Sequence, residues 1–279
     1  MTPGTAVSVI VAAYAAQATL AGTLASALAQ DMTDLEVIVV SDDGVDYRAH
    51  AGACADDRRV RFVSSGGIGT GPAVARNAGL ALARGGHVCA LDADDRFAPQ
   101  RLGVLLSAAA CCGVAADCVN VVDTQGRTLR HAFPPGSGDR DIDAGEIMDC
   151  GVPLHPLVRR DLLGSGWPDL RFAEDVMLNL QLLDRAGGFV MVMRPLYDYV
   201  VHPASICHRP DAAEVADAAY GRILDGLRDG AFGLSQAAGR TALEGFAAKR
   251  ATNRAFAEAQ DAGLVSSFQE FLALASARS

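Results

Sequence analysis

Val7-Ser8-Val9-Ile10-Val11, followed by the Ala/Leu-rich stretch Ala18 to Gln30, decides how this chain is read. Four of those first five residues are β-branched, which favours a strand, and the second stretch has the length and spacing of a helix. A strand-then-helix unit therefore opens the protein, and it recurs downstream. Glu36 to Val40 reads as a strand closed by an Asp42-Asp43-Gly44 turn, Val60 to Val63 as another, and Pro72 to Arg84 as a helix with proline in its first turn. His87 to Leu91 is a strand ending on Asp92-Ala93-Asp94-Asp95, before a helix from Pro99 to about Cys112 and a strand Cys118 to Val122. Strands alternating with helices require right-handed crossovers, so the expected fold is α/β with a mostly parallel, doubly covered, Rossmann-like sheet.

Beyond Val122 the pattern changes. Residues 123 to 152 are rich in Gly, Asp, Pro and Arg and read as a long excursion of the kind that covers a substrate. From Asp211 onward the composition is helical, with Leu224, Leu227, Phe246, Phe256, Phe268 and Phe271 as anchors. Breaks near Gly230 to Gly233 and near Gly263 divide this appendage into about three segments.

With 279 residues, 50% of them hydrophobic and 20% charged, the chain can bury a sizeable core, which excludes disorder as its main state. A net charge of −9 argues against sequence-independent binding of nucleic acid, so an anionic ligand would have to be held locally. Seven cysteines without a CxxC pair or zinc spacing suit a reduced, cytoplasmic setting. Residues 2 to 30 carry no charge, but they lack the basic n-region of a signal peptide and the bulky apolar residues of a span.

In an open parallel sheet, ligands bind outside the carboxyl ends of the strands. The two acidic turns, Asp42-Asp43 and Asp92-Ala93-Asp94-Asp95, would share that rim. Such a concentration of carboxylates suits a hard divalent cation, Mn²⁺ or Mg²⁺, that in turn holds phosphate oxygens. Asp94 or Asp95 capping the next helix is the plainer alternative. The stretch Gly66-Gly67-Ile68-Gly69-Thr70-Gly71 reads either as a phosphate cradle or as a flexible loop. Arg76 in the helix that follows could reach a diphosphate. Glu174-Asp175 opens a further helix, as a well-charged N-terminus or as a general base. The stretch from Tyr197-Asp198-Tyr199 to Ser205 reads as a polar loop that offers one histidine, His202, as a metal ligand or a surface imidazole.

Taken together, these pieces resemble the family 2 glycosyltransferases, nucleotide-sugar-dependent enzymes with a GT-A fold. The matching segments come in the family's order: Val7 to Tyr14, Glu36 to Gly44, Ala75-Arg76-Asn77-Ala78-Gly79-Leu80, Leu91 to Asp95, and Glu174-Asp175. The resemblance runs from Thr5 to about residue 208, which implies a catalytic domain over 1–208 and a helical appendage over 209–279. It implies that Ala12, Ala13, Tyr14, Asp42 and Asp43 hold the nucleotide base, usually uracil, and that Arg76 lies by the nucleotide. It implies a DxD element in which Asp92 and Ala93 meet the ribose or sugar, while Asp94, with His202, binds Mn²⁺ or Mg²⁺. Asp175 would be the catalytic base, with Glu174 beside it on the acceptor side. Val200 and Val201 stand where the family often has an arginine, so Arg209 or a residue of the 123–152 excursion would supply that cation.

The function so implied is inverting, metal-dependent transfer of a hexosyl or N-acetylhexosaminyl group from a UDP-sugar to a carbohydrate or other hydroxyl acceptor, as in bacterial cell-surface polysaccharide synthesis. Displacing a nucleoside diphosphate needs charge neutralised on the leaving oxygen, and a hydroxyl nucleophile needs a base on the opposite face of the sugar. Two other readings use the same residues. One is a catalytically silent nucleotide-sugar-binding scaffold, with Arg240, Lys249, Arg250 and Arg254 as a basic strip for a membrane surface or polyanion. The other is a nucleotidyltransferase, which would want a Gly-rich loop with Arg or Lys directly after the first strand.

Overall fold

The computed structural model describes residues 5–202, 212–265, 268, 270, 271 and 274. Contacts divide the chain into two compact units, Met1–Val201 and His202–Ser279. The boundary expected at 208/209 and Arg209 lie outside the described residues.

The first unit begins β1 (Val7–Ala13), α1 (Leu20–Leu28), β2 (Leu35–Ser41), β3 (Val60–Ser64), α2 (Pro72–Leu82) and β4 (His87–Ala90). It continues with β5 (Arg96–Phe97), α3 (Arg101–Ala108), β6 (Val114–Val122), β7 (Thr128–His131), β8 (Arg140–Asp141) and α4 (Ala144–Asp149). β9 (Leu157–Arg159), α5 (Glu174–Ala186) and β10 (Val190–Val200) complete it. These strands form one sheet in the order β3-β2-β1-β4-β9-β6-β10-β5, with β7 paired to β6 and β8 to β10.

The parallel character expected from the strand–helix alternation holds for β3-β2-β1-β4 and for β6 with β10. Every residue of β2 is buried, and so is all of β1 but Ala12, as central strands covered on both faces require. The other half of the sheet is mixed. β9 runs antiparallel between β4 and β6, and β5, β7 and β8 also pair antiparallel. The 123–152 excursion is partly ordered by β7, β8 and α4, whose Asp143 and Glu146 form a reciprocal capping box. Tyr197 to Tyr199 are not a loop, as expected, but part of β10.

Strand order reverses around β1, which has β2 on one side and β4 on the other. The carboxyl ends of these three strands make the crevice where a doubly wound sheet binds its ligands.

In the second unit α6 (Ala212–Arg228) and α7 (Gln236–Asp261) lie antiparallel, since Ala213 meets Asn253, Asp217 meets Arg250, and Tyr220 meets Phe246. Phe256 packs edge-on against Phe268 and Phe271. The expected basic strip is interrupted, because Arg250 and Arg254 both fork onto Asp217. No described helix is long and apolar enough to cross a membrane.

Candidate active site

Both acidic turns sit at the carboxyl rim, and each carboxylate has its own partners. Asp42 is buried, and the Gly-rich loop wraps around it. Its Oδ1 accepts from Ser65 Oγ at 2.7 Å, from the Thr70 amide at 3.1 Å and from the Thr70 hydroxyl, while Oδ2 accepts from the Gly71 amide at 2.9 Å. Burial works against its ionisation, but these donors win and hold its pKa below the usual carboxylate value. The loop is thus a cradle for an anion, and that anion is Asp42. Gly71 closes it at φ 101°, in the left-handed region, directly before Pro72 opens α2.

Asp43, half-buried, performs the same service for the segment after β1. Its Oδ2 accepts from the Ala15 amide and the Tyr47 hydroxyl, each at 2.8 Å, and its Oδ1 from Val45 N and Ser41 Oγ, each at 3.2 Å. Burial is again outweighed and the pKa lies low. The pull on Ala15 holds it at φ 51°, a conformation that costs an L-residue about 1–2 kcal/mol. Ala12 and Ala13 end β1 on this rim, and Tyr14 is 61% exposed beside them. Gly44, Val45 and Tyr47 border a cleft of about 340 Å³ with Ser41, Phe62 and Ser64.

The Ala75-Arg76-Asn77-Ala78-Gly79 motif becomes intelligible once it is wound on α2. Gly79 faces the sheet, where a Cβ would come within 2.5 Å of Ile10 Cγ2, so the helix can approach only with glycine there. Asn77 faces the segment before α5, donating to the Trp167 carbonyl and accepting from the Trp167 amide, each at 2.8 Å. Arg76 is buried and forks between two carboxylates: Nη2 donates to Asp92 Oδ1 and Nη1 to Glu174 Oε1, each at 2.7 Å. Burial opposes its charge, but the two anions raise its pKa and keep it ionised.

Asp92 is held from both sides, for His155 Nε2 lies 3.1 Å from its other oxygen. Burial alone would raise the Asp92 pKa; His155 and Arg76 outweigh it and hold the carboxyl well below its ordinary range. Asp95 points inward, accepting from the Tyr197 hydroxyl and the Val200 amide, each at 2.7 Å. Burial, with the charges of Asp92 and Asp94, pushes its pKa up. It does not cap α3, whose first turn has no side-chain cap. Asp94 alone of the three aspartates is exposed, and Ala93 is buried between it and Asp92.

Glu174 and Asp175 open α5, where the helix dipole favours negative charge. The N-cap, Ala173, is left-handed at φ 60°. Glu174 is buried, which raises its pKa, and the adjacent Asp175 adds to the rise while Arg76 offsets it. Asp175 is half-buried and lines a cavity of about 10 Å³ with His155, Trp167 and Asn179. The structure therefore joins Asp92, Arg76 and Glu174 by direct contact and sets Asp42 and Asp43 at the neighbouring strand end. His202 follows β10 by two residues and groups with the second unit.

Residues that the sequence did not single out complete the site. His155 grips Asp92, and Tyr197 accepts from the Asp92 amide at 3.3 Å. Beneath them Arg101 lies between the rings of Phe97 and Tyr197, at 4.3 and 5.0 Å. It donates to Asp117 at 2.7 Å and to the His155 carbonyl at 2.6 Å. No local pattern marks them, because the hydrogen bonds that give them their roles span between 16 and 105 residues along the chain.

The model of the family described as "Glycosyl transferase family 2" matches residues 8–200. The chain belongs to that family. The match takes in every residue of the site described above except His202. Among curated relatives, the succinoglycan biosynthesis protein ExoU of Rhizobium meliloti (strain 1021) is 33% identical over 227 residues, 72% of this chain and 64% of ExoU. ExoO of the same organism is 39% identical over 126 residues, 44% of this chain and 36% of ExoO. The family 2 chain thus spans between about one third and two thirds of the length of these relatives. Among solved structures, residues 1–349 of S. aureus TarS in complex with UDP-GlcNAc superpose with a TM-score of 0.65 at 20% identity, covering 89% of this chain and 72% of that one. That likeness bears out the α/β fold with its helical C-terminal part.

Proposed function

We propose that the chain transfers a sugar from a nucleotide-sugar, a UDP-sugar by the family resemblance, to an acceptor hydroxyl, with inversion at the anomeric carbon. The observation that carries this reading is the Asp92–Arg76–Glu174 bridge, which ties the donor-side acidic turn to the carboxylate pair heading α5. On this reading Ala12, Ala13, Tyr14 and Asp43 receive the base, Asp92 and Ala93 the ribose and sugar, and Asp175 takes the acceptor proton. Asp42 serves the base indirectly, by holding the Gly-rich loop. The relatives named for succinoglycan biosynthesis support an exopolysaccharide or similar hydroxyl acceptor.

The donor set suits a divalent cation only in part. Among the described residues no three His, Cys, Asp or Glu side chains gather into a metal cage. Asp94 does offer an exposed hard oxygen donor at the rim, and a cation of the Mg²⁺ type is commonly held by one or two carboxylates plus substrate phosphates. Asp94 would hold it, and when bound it would neutralise charge on the departing diphosphate. The remaining chemistry belongs to the chain. Asp92 already pairs with Arg76 and meets His155 Nε2 at 3.1 Å, which suits it to orient sugar hydroxyls rather than to hold the cation. Asp175, half-buried at the head of α5 beside Glu174, is the carboxylate left to take the acceptor proton.

The test measures nucleoside diphosphate release from a panel of UDP-sugars with and without Mn²⁺, for the wild type, Asp94→Ala and Asp175→Asn. The reading expects both variants to lose turnover by about 100-fold or more. Unchanged turnover in both overturns it.

A further inference from the structure

We infer that Arg76 is a positioning residue that sets the spacing between the donor and acceptor half-sites, acting through Asp92 and Glu174 rather than by touching the nucleotide. The inference rests on the proposed transfer reaction. Its structural basis is the commitment of the guanidinium. The Arg76 side chain is 5% exposed, each Nη donates to a different carboxylate at 2.7 Å, and Nε is buried without a hydrogen-bond partner. Its remaining N–H donors belong to an enclosed side chain, so burial, rather than a lack of donors, keeps it from a diphosphate.

The helix that carries Arg76 is itself fixed at three points. Its N-terminus is held by Asp42 through Gly71, its sheet face by the close approach of Gly79 to Ile10, and its other flank by the paired Asn77–Trp167 bonds. Arg76 and Asn77 are adjacent, so one turn of α2 fixes both Glu174 and the segment leading to it. Only a planar fork can serve two carboxylates at once with defined geometry, whereas a lysine ammonium is a point charge on a flexible stem. Asp92 has a second support in His155; Glu174 has Arg76. Loss of the fork should therefore displace the acceptor side more than the donor side.

The experiment compares Arg76→Lys, and the charge-balanced pair Arg76→Gln with Glu174→Gln, against the wild type. UDP binding is read by calorimetry, transfer by kcat and acceptor KM, and donor hydrolysis in competition with transfer by product analysis. UDP affinity should stay within about 3-fold, kcat should fall about 100-fold, and the ratio of transfer to hydrolysis should drop at least about 10-fold. The charge-balanced pair retains a native melting profile and shows the same loss, which separates positioning from failure to fold. A kcat and transfer ratio within about 3-fold of wild type in Arg76→Lys overturn the inference. So does a loss of UDP affinity as large as the loss of kcat, since that assigns Arg76 to direct nucleotide contact. A wild-type protein that releases no nucleoside diphosphate fails at the earlier step, the proposed reaction itself.

Discussion

Asp42→Asn isolates the claim that the Gly-rich loop is organised by an internal anion. The substitution keeps the shape and removes the charge. In the wild type Oδ1 takes three donors and Oδ2 one, the Gly71 amide. An asparagine placed to keep its oxygen at the Oδ1 position turns its NH₂ toward the Gly71 N–H, leaving that donor unpaired at a cost of about 1–3 kcal/mol. The three remaining bonds fall from charge-assisted to neutral strength, about 1 kcal/mol each at most. The sum is about 1–6 kcal/mol, or roughly 10 °C in the melting of the first unit at the middle of that range. The pH dependence has a definite sign. The Asp42 pKa is lowered by folding, so its stabilisation is complete above the unfolded value near 4 and is lost as pH falls through the folded value. Denaturant titrations should give a wild-type-minus-variant difference that is flat from about pH 5 to pH 8 and shrinks below about pH 4. A difference under about 1 kcal/mol at pH 7, or one that widens on acidification, would refute the reasoning.

Other substitutions test other parts of the account. Gly79→Ala brings a Cβ within 2.5 Å of Ile10 Cγ2 and should destabilise by about 1–3 kcal/mol in chemical denaturation. Arg101→Met leaves the buried Asp117 carboxylate uncompensated and should cost about 3–5 kcal/mol, much of it recovered when Asp117→Asn is added. Ala173→Gly relieves a left-handed alanine at the head of α5 and should raise the melting temperature slightly, worth up to about 1 kcal/mol. His155→Phe removes one of the two supports of Asp92 and should raise the donor KM with little change in UDP binding, as read by steady-state kinetics and calorimetry.

Most of the first 122 residues were legible because β1, β2, β4 and β6 are apolar runs that need no partner to be recognised, and β2 and β4 run into turns rich in Asp. β5, β8 and β9 have two or three residues each, too short to show a period, so the mixed half of the sheet was not legible. β10 was obscured by exposed Arg194-Pro195 and by a register shift between Val192 and Tyr197, which break its apolar pattern. Within the site, Arg76, Asp92 and Glu174 were each visible, but the contact between Arg76 and Glu174 spans 98 residues and belongs to the fold. Asp42 and the Gly-rich loop, read as two separate motifs, are one structure. His155 and Tyr197 gain their meaning only from what they touch.

The most direct measurement is the anomeric configuration of the transferred sugar, followed by NMR for a turned-over α-linked UDP-sugar with wild type and Asp175→Asn. A single displacement with Asp175 taking the acceptor proton predicts a β-linked product and near-complete loss of transfer in the variant. An α-linked product, or full activity without the Asp175 carboxylate, would contradict it.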